Sequence, residues 1–362
     1  MPPIGIGLVG CGMIGQIHAD GLAKLVEDGE IVAVAAADLS DESIAATQHN
    51  CAFARTSHDA ASVIADPAVD AVMIATPTAA HRDAVLAAVE AGKAVFCEKP
   101  LAPTFDDVQE LCSVVDASGL VARVGFHSRF HPILNKLEGI VLSGELGRPM
   151  GYALRDDQYW PTGSVVSGHS SWRSDRAVAG GGALLEHSIH SADILSWLFG
   201  AARSVYARTR RCFGFGVEDA AALTIEHDTG VVGNLVTIFN GVRGREERRL
   251  EVFFEQGTVE LTTDFLIGAE EDSLLLALPD TPAAYVDLDE LRSAHFDALG
   301  VTRPDLIFYP YLADRAWVQA ISGARTPGAG FPEALRAHAL VEAAYRSARL
   351  DRAVELGEVL GG

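Results

Sequence analysis

Near the start of the chain a short apolar run leads directly into a glycine-rich turn. Ile4 to Val9 has the length and composition of a buried strand, and the sequence Gly-Cys-Gly-Met-Ile-Gly follows it. Apolar residues then recur at helical spacing, at Ile14, Ile17, Leu22 and Leu25. In such a unit the first glycine permits a tight turn, the second admits a pyrophosphate and the third lets helix and strand pack closely. The segment therefore predicts a dinucleotide-binding unit whose cofactor-binding residues are Gly10, Gly12, Met13, Ile14 and Gly15.

The next apolar run ends in an acidic residue. Ile31 to Ala37 is followed by Asp38, which stands about 20 residues after Gly15, the usual distance for an acid that binds ribose. A carboxylate there accepts the ribose hydroxyls of NAD and repels the 2′-phosphate of NADP. Residues 39–43 contain no Arg or Lys to hold that phosphate. The sequence predicts NAD, with NADP disfavoured.

Strands and helices alternate as far as residue 125. Val69 to Ala75 is a predicted strand that leads into Thr76-Pro77 and His81, and Val121 to Gly125 is the last strand of the series. Alternation of this kind favours a parallel, doubly wound sheet of the Rossmann type. We therefore predict a nucleotide-binding domain over residues 1–125.

Within this series, Ala94 to Leu101 carries the most informative polar residues. The predicted strand ends in Glu98-Lys99-Pro100, and ligands of open α/β sheets bind beyond the carboxyl ends of the strands. A lysine can exchange a proton after a pKa shift, whereas an arginine effectively cannot. Lys99 is therefore a candidate catalytic residue, and a Glu–Lys pair at the protein surface is an equally acceptable interpretation of these residues alone.

From residue 126 the pattern changes to that of an α+β domain, predicted over 126–362. A helix is expected from His131 to Ser143, an irregular segment over 155–180 and a closing helix over 332–350. Between them lie β-rich runs separated at hairpin lengths, which predict a large open antiparallel sheet. They are Val205 to Arg211, Ala221 to His227, Val231 to Phe239, Leu250 to Glu255 and Thr258 to Thr263.

Composition limits the class of protein. The chain has 362 residues and a formal charge of −21, which argues against nucleic acid or an anionic membrane as a partner. Its five cysteines are scattered without a Cys-x-x-Cys pair, as expected for reduced thiols in the cytoplasm. No apolar run approaches the length of a membrane span, and the first strand lacks the basic flank of a signal peptide.

A second polar constellation follows three glycines at 180–182. If a helix begins near Ala183, then Glu186, His190 and Asp193 fall at i, i+4 and i+7 on one face. An imidazole flanked by carboxylates is held in one tautomer and becomes more basic, which suits a general base. A solvated polar helix face is the competing interpretation. Metal binding is disfavoured because no Cys or further His stands at ligand spacing.

Taken together, these motifs resemble the Gfo/Idh/MocA oxidoreductases (glucose–fructose oxidoreductase, inositol dehydrogenase and relatives). The similarity rests on Gly10-x-Gly12-x-x-Gly15, on Thr76-Pro77 with His81, on the segment 91–100, on 180–193 and on the closing sequence 343–347. It implies an NAD(P)-dependent dehydrogenase or reductase for a sugar, inositol or related polyol. It also implies a homo-dimer or homo-tetramer built on the sheet of the second domain.

The resemblance also implies roles for individual residues. Lys99 becomes a catalytic lysine, Glu98 a contact to the nicotinamide ribose, and His190 the acid/base, with Asp193 as a further acid. Thr76, Pro77 and His81 become cofactor-binding residues. Many relatives carry Asp where this chain has Glu186, and the extra methylene changes how that carboxylate supports His190 or a substrate hydroxyl. Two further classes within the family are a non-catalytic NAD-binding regulator and an NAD-assisted glycosidase.

The predicted substrate-binding residues are Lys99, Glu186 and His190, together with His127, Trp172 and Arg173. His127 stands at the predicted domain junction, where a structural salt bridge is an equal alternative. Trp172 and Arg173 occupy the irregular segment, where they suit either a sugar ring or simple packing of the loop.

Overall fold

The computed structural model describes residues 2–159, 171–240, 247–263, 272–301 and 309–361. The chain divides into two compact units. The first comprises Met1–His127, Ala177–Gly180 and Phe308–Leu335, and the second comprises Ser128–Arg176, Gly181–Ile307 and Arg336–Gly362. The first unit thus includes segments 177–180 and 308–335, which the sequence assigns to the second domain.

The strands and helices of the described residues are numbered here in chain order. The strands are β1 Ile4–Val9, β2 Ile31–Ala37, β3 Arg55–Ser57, β4 Ala71–Ile74, β5 Ala94–Cys97, β6 Ala122–Val124, β7 Pro149–Tyr159, β8 Ala202–Arg210, β9 Ala220–His227, β10 Val232–Asn240, β11 Glu247–Phe254, β12 Gly257–Thr263, β13 Ser273–Ala277, β14 Ala284–Tyr285 and β15 Val354–Glu355. The helices are α1 Met13–Glu27, α2 Asp41–Asn50, α3 Ala60–Ile64, α4 His81–Glu90, α5 Phe105–Ser118, α6 Pro132–Ser143, α7 Arg176–Ala179, α8 Ile189–Phe199, α9 Leu288–Leu299, α10 Tyr309–Ile321, α11 Phe331–Leu350 and α12 Gly357–Leu360.

The first unit is built on a parallel six-stranded sheet in the order β3-β2-β1-β4-β5-β6. The strands β1, β4 and β5 at its centre are apolar runs with little solvent exposure, as expected where a sheet is covered on both faces. The strand order reverses between β1 and β4, so the loops after these strands flank a topological switch point. The predicted doubly wound parallel sheet is confirmed.

The second unit contains a nine-stranded sheet in the order β14-β13-β12-β11-β7-β10-β9-β8-β15. The predicted sheet exists, but it is mixed rather than purely antiparallel, because β7 pairs with β10 in parallel. The sequence pattern missed β7, Pro149–Tyr159, and placed its last residues in the irregular segment predicted over 155–180. The strand was not recognised because it contains the polar run Arg155-Asp156-Asp157. Asp156 and Asp157 are buried, where apolar residues are expected.

Local sequence accounts well for the helix that opens the second unit. The His131 side chain accepts the backbone N–H of Ile133 at 3.1 Å, and Pro132 occupies the first turn. Gly144 ends the helix with a φ of 66°, in the left-handed region that glycine favours. The predicted helices at 131–143 and 332–350 are confirmed as α6 and α11.

None of the described helices is both long enough and apolar enough to cross a membrane. All five cysteines are free thiols, and three of them, Cys11, Cys51 and Cys97, are buried. Within the described part of the chain, no three His, Cys, Asp or Glu side chains gather into a metal-binding group.

Candidate active site

The glycines of the first turn have different neighbours. Gly10 adopts a φ of 97°, and an added Cβ would lie 2.5 Å from the carbonyl carbon of Ala75. A Cβ on Gly15 would lie 2.1 Å from the Gly10 oxygen, whereas a Cβ on Gly12 would meet no described atom within 4 Å. Gly10 and Gly15 are thus required by internal packing. Gly12, which precedes α1, leaves open space at the helix N-terminus, the predicted position of the pyrophosphate.

Asp38 is joined to this turn by backbone hydrogen bonds. The Cys11 N–H donates to its Oδ2 at 2.7 Å, and the Ser40 N–H donates to its Oδ1 at 2.9 Å. These hydrogen bonds fix the position of the carboxylate. Because Asp38 is only half-buried, the carboxylate remains accessible to a ribose. Burial raises the pKa of the neighbouring Cys11 thiol to about 11, which leaves that thiol unreactive.

His81 joins two loops at the carboxyl edge of the sheet. Its ring nitrogens lie 2.8 Å from the Pro100 oxygen and 2.9 Å from the Thr76 oxygen. The ring is buried, and this burial lowers the pKa of His81 although both carbonyls favour the protonated form. His81 thus connects the Thr76-Pro77 loop with the loop after β5. Direct contact of Thr76, Pro77 or His81 with the cofactor stays a prediction.

Glu98 and Lys99 follow β5 directly, at the same edge. Glu98 is buried, with an exposed fraction of 4%, and its Oε2 accepts the backbone N–H of Lys99 at 3.1 Å. Lys99 itself is half-buried, and its peptide bond to Pro100 is cis. The alternative of an exposed surface ion pair is wrong for Glu98.

Behind Glu98 lies a buried triad that the sequence did not reveal. His18 of α1 donates from Nε2 to Glu98 Oε1 at 3.1 Å and from Nδ1 to Asp314 Oδ1 of α10 at 2.9 Å. His18 and Asp314 are fully buried. His18 stands three residues beyond Gly15, but Asp314 is separated from it by 296 positions, so no local pattern connects them.

The charges of the triad support one another. Burial opposes a charge on His18, but the Asp314 and Glu98 carboxylates outweigh it and raise the pKa of the imidazole to about 10. Burial works against ionisation of Glu98 as well, yet His18, with Lys99 and His127, lowers its pKa below the ordinary value. Burial raises the pKa of Asp314, which His18 opposes. Because two acids enclose one imidazole at hydrogen-bond distance, we assign an imidazolium between carboxylates.

In the second unit the segment after the three glycines forms a π-helical turn, Ala183–His187, followed by α8. Glu186 lies in the π turn, and His190 and Asp193 lie in α8, so the expectation of one regular helix from Ala183 is wrong. The turn closes through a 2.9 Å bond from the Ser188 N–H to the Ala183 oxygen. The solvated polar face is excluded, because the exposed fractions are 5% for Glu186, 2% for His190 and 1% for Asp193.

Internal packing requires the glycines Gly181 and Gly182 before this turn. A Cβ on Gly181 would lie 2.2 Å from the Tyr345 hydroxyl, and one on Gly182 would lie 1.8 Å from the Glu218 oxygen. The Glu218 carboxylate accepts the N–H groups of Gly182 and Leu184 and the Tyr345 hydroxyl. It therefore caps the π turn, a role that no sequence pattern indicated.

Asp193 forms a bidentate ion pair with Arg129, with N–O distances of 2.7 and 2.8 Å. The Arg129 guanidinium also lies 5.4 Å from the ring centre of Trp197. Such a paired, buried carboxylate supports the position of α8. Its predicted role as a further catalytic acid stays a prediction.

Trp172 and Arg173 lie next to Glu186. The Arg173 guanidinium stacks on the Trp172 ring at 4.5 Å, and its Nε lies 3.4 Å from Glu186 Oε2. The predicted substrate-binding residues Trp172, Arg173 and Glu186 are thus brought together. The rest of the irregular segment, at 160–170, lies outside the described residues.

A second buried cluster supports the π turn and α8 from the sheet. Asp156 of β7 accepts hydrogen bonds from His187 Nε2 at 3.0 Å and from the hydroxyls of Ser188 and Ser191. Arg248 of β11 lies 3.5 Å from the same carboxylate. Burial opposes ionisation of Asp156, but Arg248 and His187 hold its pKa well below the ordinary value.

Comparison with known proteins identifies the family. Residues 4–126 match the model of an oxidoreductase family with an NAD-binding Rossmann fold, and residues 134–260 match the GFO/IDH/MocA C-terminal domain. The chain belongs to the Gfo/Idh/MocA oxidoreductase family. As a member, it is an NAD-dependent oxidoreductase that acts on CH–OH groups, which confirms the predicted family, enzyme class and cofactor.

Several relatives have been named. The chain is 32% identical to an inositol 2-dehydrogenase of Acidothermus cellulolyticus, over 72% of this chain and 73% of the relative. It is 29% identical to the scyllo-inositol 2-dehydrogenase (NAD(+)) of Bacillus subtilis, over 80% and 84% respectively. Levoglucosan dehydrogenase in complex with NADH shares the fold, with a TM-score of 0.84, 23% identity and coverage of 98% and 99%.

Proposed function

We propose that this Gfo/Idh/MocA enzyme transfers a hydride between NAD and a secondary hydroxyl or ketone of a sugar, an inositol or a related polyol. The observation that carries the proposal is the placement of Lys99. Its half-buried side chain follows β5 at the ligand-binding edge of the parallel sheet, and its backbone N–H is held by an ionised Glu98. The names of the inositol and sugar dehydrogenases among its relatives support the substrate class.

The proposed cofactor contacts follow from the first unit. The α1 N-terminus at Gly12, with Met13 and Ile14, receives the pyrophosphate, and Asp38 accepts the adenosine ribose hydroxyls. NAD supplies the hydride acceptor or donor when bound. Asp38 directly follows β2, and Glu98 directly follows β5, which lies on the other side of the switch point. Glu98 is therefore proposed to bind the nicotinamide ribose, at the other end of the cofactor from Asp38.

The proton of the substrate hydroxyl is proposed to be handled by the Lys99 Nζ and the His190 imidazole. Each group can exchange a proton near neutral pH when its surroundings shift its pKa. Glu186 and Asp193 are proposed to support His190, and Trp172, Arg173 and His127 to bind the substrate. The stacked Trp172–Arg173 pair offers a flat apolar surface with hydrogen-bond donors, as a sugar ring requires.

A substrate screen tests this function. Inositols, aldoses and anhydro-sugars are each incubated with NAD and with NADP, and reduced cofactor is followed by absorbance. Turnover of at least one polyol with NAD, lowered by roughly 10²–10⁴-fold in Lys99→Met, is the expected result. NAD binding without turnover of any compound would indicate the regulator. Release of a chromogenic aglycone without net NADH would indicate the glycosidase.

A homo-oligomer is proposed on the outer face of the nine-stranded sheet. Along β10 the side chains alternate: Leu235 and Phe239 are buried, whereas Val236 and Ile238 are each 37% exposed. Val232 and Phe253 continue the exposed face, since both are paired with Gly151 of β7. Light scattering at micromolar concentration tests the proposal, and a monomeric mass refutes it. The cytoplasmic location stays a prediction.

A further inference from the structure

The Glu98–His18–Asp314 triad occupies a site shaped closely around it. A Cβ on Gly125 would lie 2.1 Å from Glu98 Oε1, and a Cβ on Gly21 would lie 3.0 Å from Asp314 Oδ2. The backbone thus approaches closely at both ends of the triad. Phe96 packs edge-on against the His18 ring, with the centroids 5.3 Å apart. The Glu98 carboxylate therefore has little room to rotate.

The two oxygens of Glu98 have different partners. Oε1 accepts from His18 Nε2, and Oε2 accepts the backbone N–H of Lys99. An unrestrained carboxylate rotates readily about its terminal torsion, because that torsion is broad. The bond from His18 fixes one oxygen and thereby aims the other at the Lys99 backbone.

We propose that His18 and Asp314 are positioning residues, which hold Glu98 so that it fixes the backbone from which the Lys99 side chain extends. The inference rests on the proposed function, in which Lys99 acts on the substrate hydroxyl. Asp314 holds His18 protonated and oriented, His18 fixes Glu98, and Glu98 fixes Lys99. The relay connects α10, from the last sixth of the chain, with the loop after β5. A displacement of about 1 Å at a reacting group can lower a rate by on the order of 10²-fold.

Two substitutions of His18 separate its contact with Asp314 from its contact with Glu98. The amide nitrogen of His18→Asn lies near the position of ring Nδ1 and can still bond Asp314, but it cannot reach Glu98. The longer amide of His18→Gln reaches toward the position of Nε2 and so toward Glu98. We expect His18→Asn to lower kcat by about 10- to 100-fold, with partial rescue in His18→Gln. The Kd of NAD should change by less than about threefold, because the proposed pyrophosphate and adenosine-ribose contacts lie outside the triad and Glu98 itself is retained.

The decisive measurement is a double-mutant cycle with Lys99→Met, using NAD and the fastest polyol of the screen. If His18 acts through Lys99, then His18→Asn costs little further activity once Lys99 is absent. If His18 only stabilises the fold, it costs the same factor in both backgrounds, and the inference is overturned. If Lys99→Met is itself fully active, the proposed function fails instead.

A readout on the protein without cofactor completes the test. The chain has four lysines, Lys24, Lys93, Lys99 and Lys136, so reductive methylation with isotope-labelled formaldehyde gives few NMR signals. The signal absent from Lys99→Met identifies Lys99. It should shift in His18→Asn and Asp314→Asn, and stay in place in the control Val63→Ala, a buried change on α3 outside the triad. An unmoved Lys99 signal in both triad variants contradicts the inference.

Discussion

Each unit of the molecule contains a buried cluster in which an imidazole contacts a carboxylate near a candidate catalytic residue. The two clusters differ in their cations. In the first unit His18 lies between Glu98 and Asp314, next to Lys99. In the second unit Asp156 accepts hydrogen bonds from His187 and two serine hydroxyls and forms an ion pair with Arg248, next to the helix that carries His190. The cation of the first cluster is the His18 imidazolium, whereas that of the second is the Arg248 guanidinium.

This difference determines how each cluster responds to a change. An imidazolium can lose its proton when a partner is removed or the pH rises. A guanidinium keeps its charge under the same conditions, so Arg248 depends on Asp156 remaining in place. The first cluster can therefore change its charge by releasing a proton, whereas the charge of Arg248 in the second cluster is constant.

The largest expected effect comes from the groups that the clusters support. Lys99→Met and His190→Ala should each lower kcat by roughly 10²–10⁴-fold, the usual range for a positioned acid or base. Their double mutant should lose less than the product of the two factors if both act on one hydroxyl. NAD affinity, measured by fluorescence quenching, separates loss of chemistry from loss of cofactor. Near-normal turnover in Lys99→Met would remove the central assignment.

Removing the acid from each cluster tests the difference directly. Asp156→Asn leaves Arg248 buried without its counterion and should lower the free energy of unfolding by about 3–5 kcal/mol. Asp314→Asn should cost less, about 1–3 kcal/mol, because His18 can release its proton. Urea denaturation measures both, with the exposed Asp83→Asn as a control expected to cost under about 0.5 kcal/mol. Equal losses at positions 156 and 314 would end the distinction between the clusters.

The pH dependence of stability should reside in the first cluster. The folded pKa of His18 is about 10, above its ordinary value of 6.5. Its stabilisation is therefore fully present below pH 6.5 and is lost as the pH rises toward 10. The wild-type free energy of unfolding should fall by roughly 1–3 kcal/mol more than that of His18→Gln between pH 7 and 10. Denaturant midpoints at both pH values measure this, and parallel profiles contradict it.

A carboxylate outside both clusters should affect cofactor choice alone. Asp38 is half-buried and held by backbone N–H groups, so its negative charge would oppose an NADP 2′-phosphate at the predicted ribose site. NAD should bind more tightly than NADP by about 1–3 kcal/mol, and Asp38→Ser should narrow the gap. Titrations of both cofactors decide this prediction, and equal affinity in the wild type refutes it.

Regular elements followed from local patterns where side-chain burial was uniform or alternated. The parallel sheet of the first unit, α6, α11 and most strands of the second sheet were predicted in this way. β7 was missed because Asp156 and Asp157 are buried in it, and a buried carboxylate breaks the polar–apolar alternation. The parallel pairing of β7 with β10 could not be read locally either, since pairing depends on which distant strands meet.

Among the candidate site residues, Glu98, Lys99, Glu186 and His190 were named from sequence, because their spacing falls within one strand end or one helical turn. The structure shows that Glu98, Glu186 and His190 are buried, while the role of each residue stays a prediction. Their supports were missed. Asp314, Glu218, Asp156 and Arg248 each reach their partners across long stretches of chain.

The sequence alone thus determined the family, the dinucleotide-binding turn with its preference for NAD, and the short segments that hold the candidate catalytic groups. These properties depend on residues that are neighbours in the chain, where backbone geometry fixes their spacing. Only the tertiary structure decided which buried charges meet, that His18 carries a proton between two acids, and that packing requires Gly181 and Gly182. Burial and long-range contact set those properties, and neither is encoded at any one position of the chain.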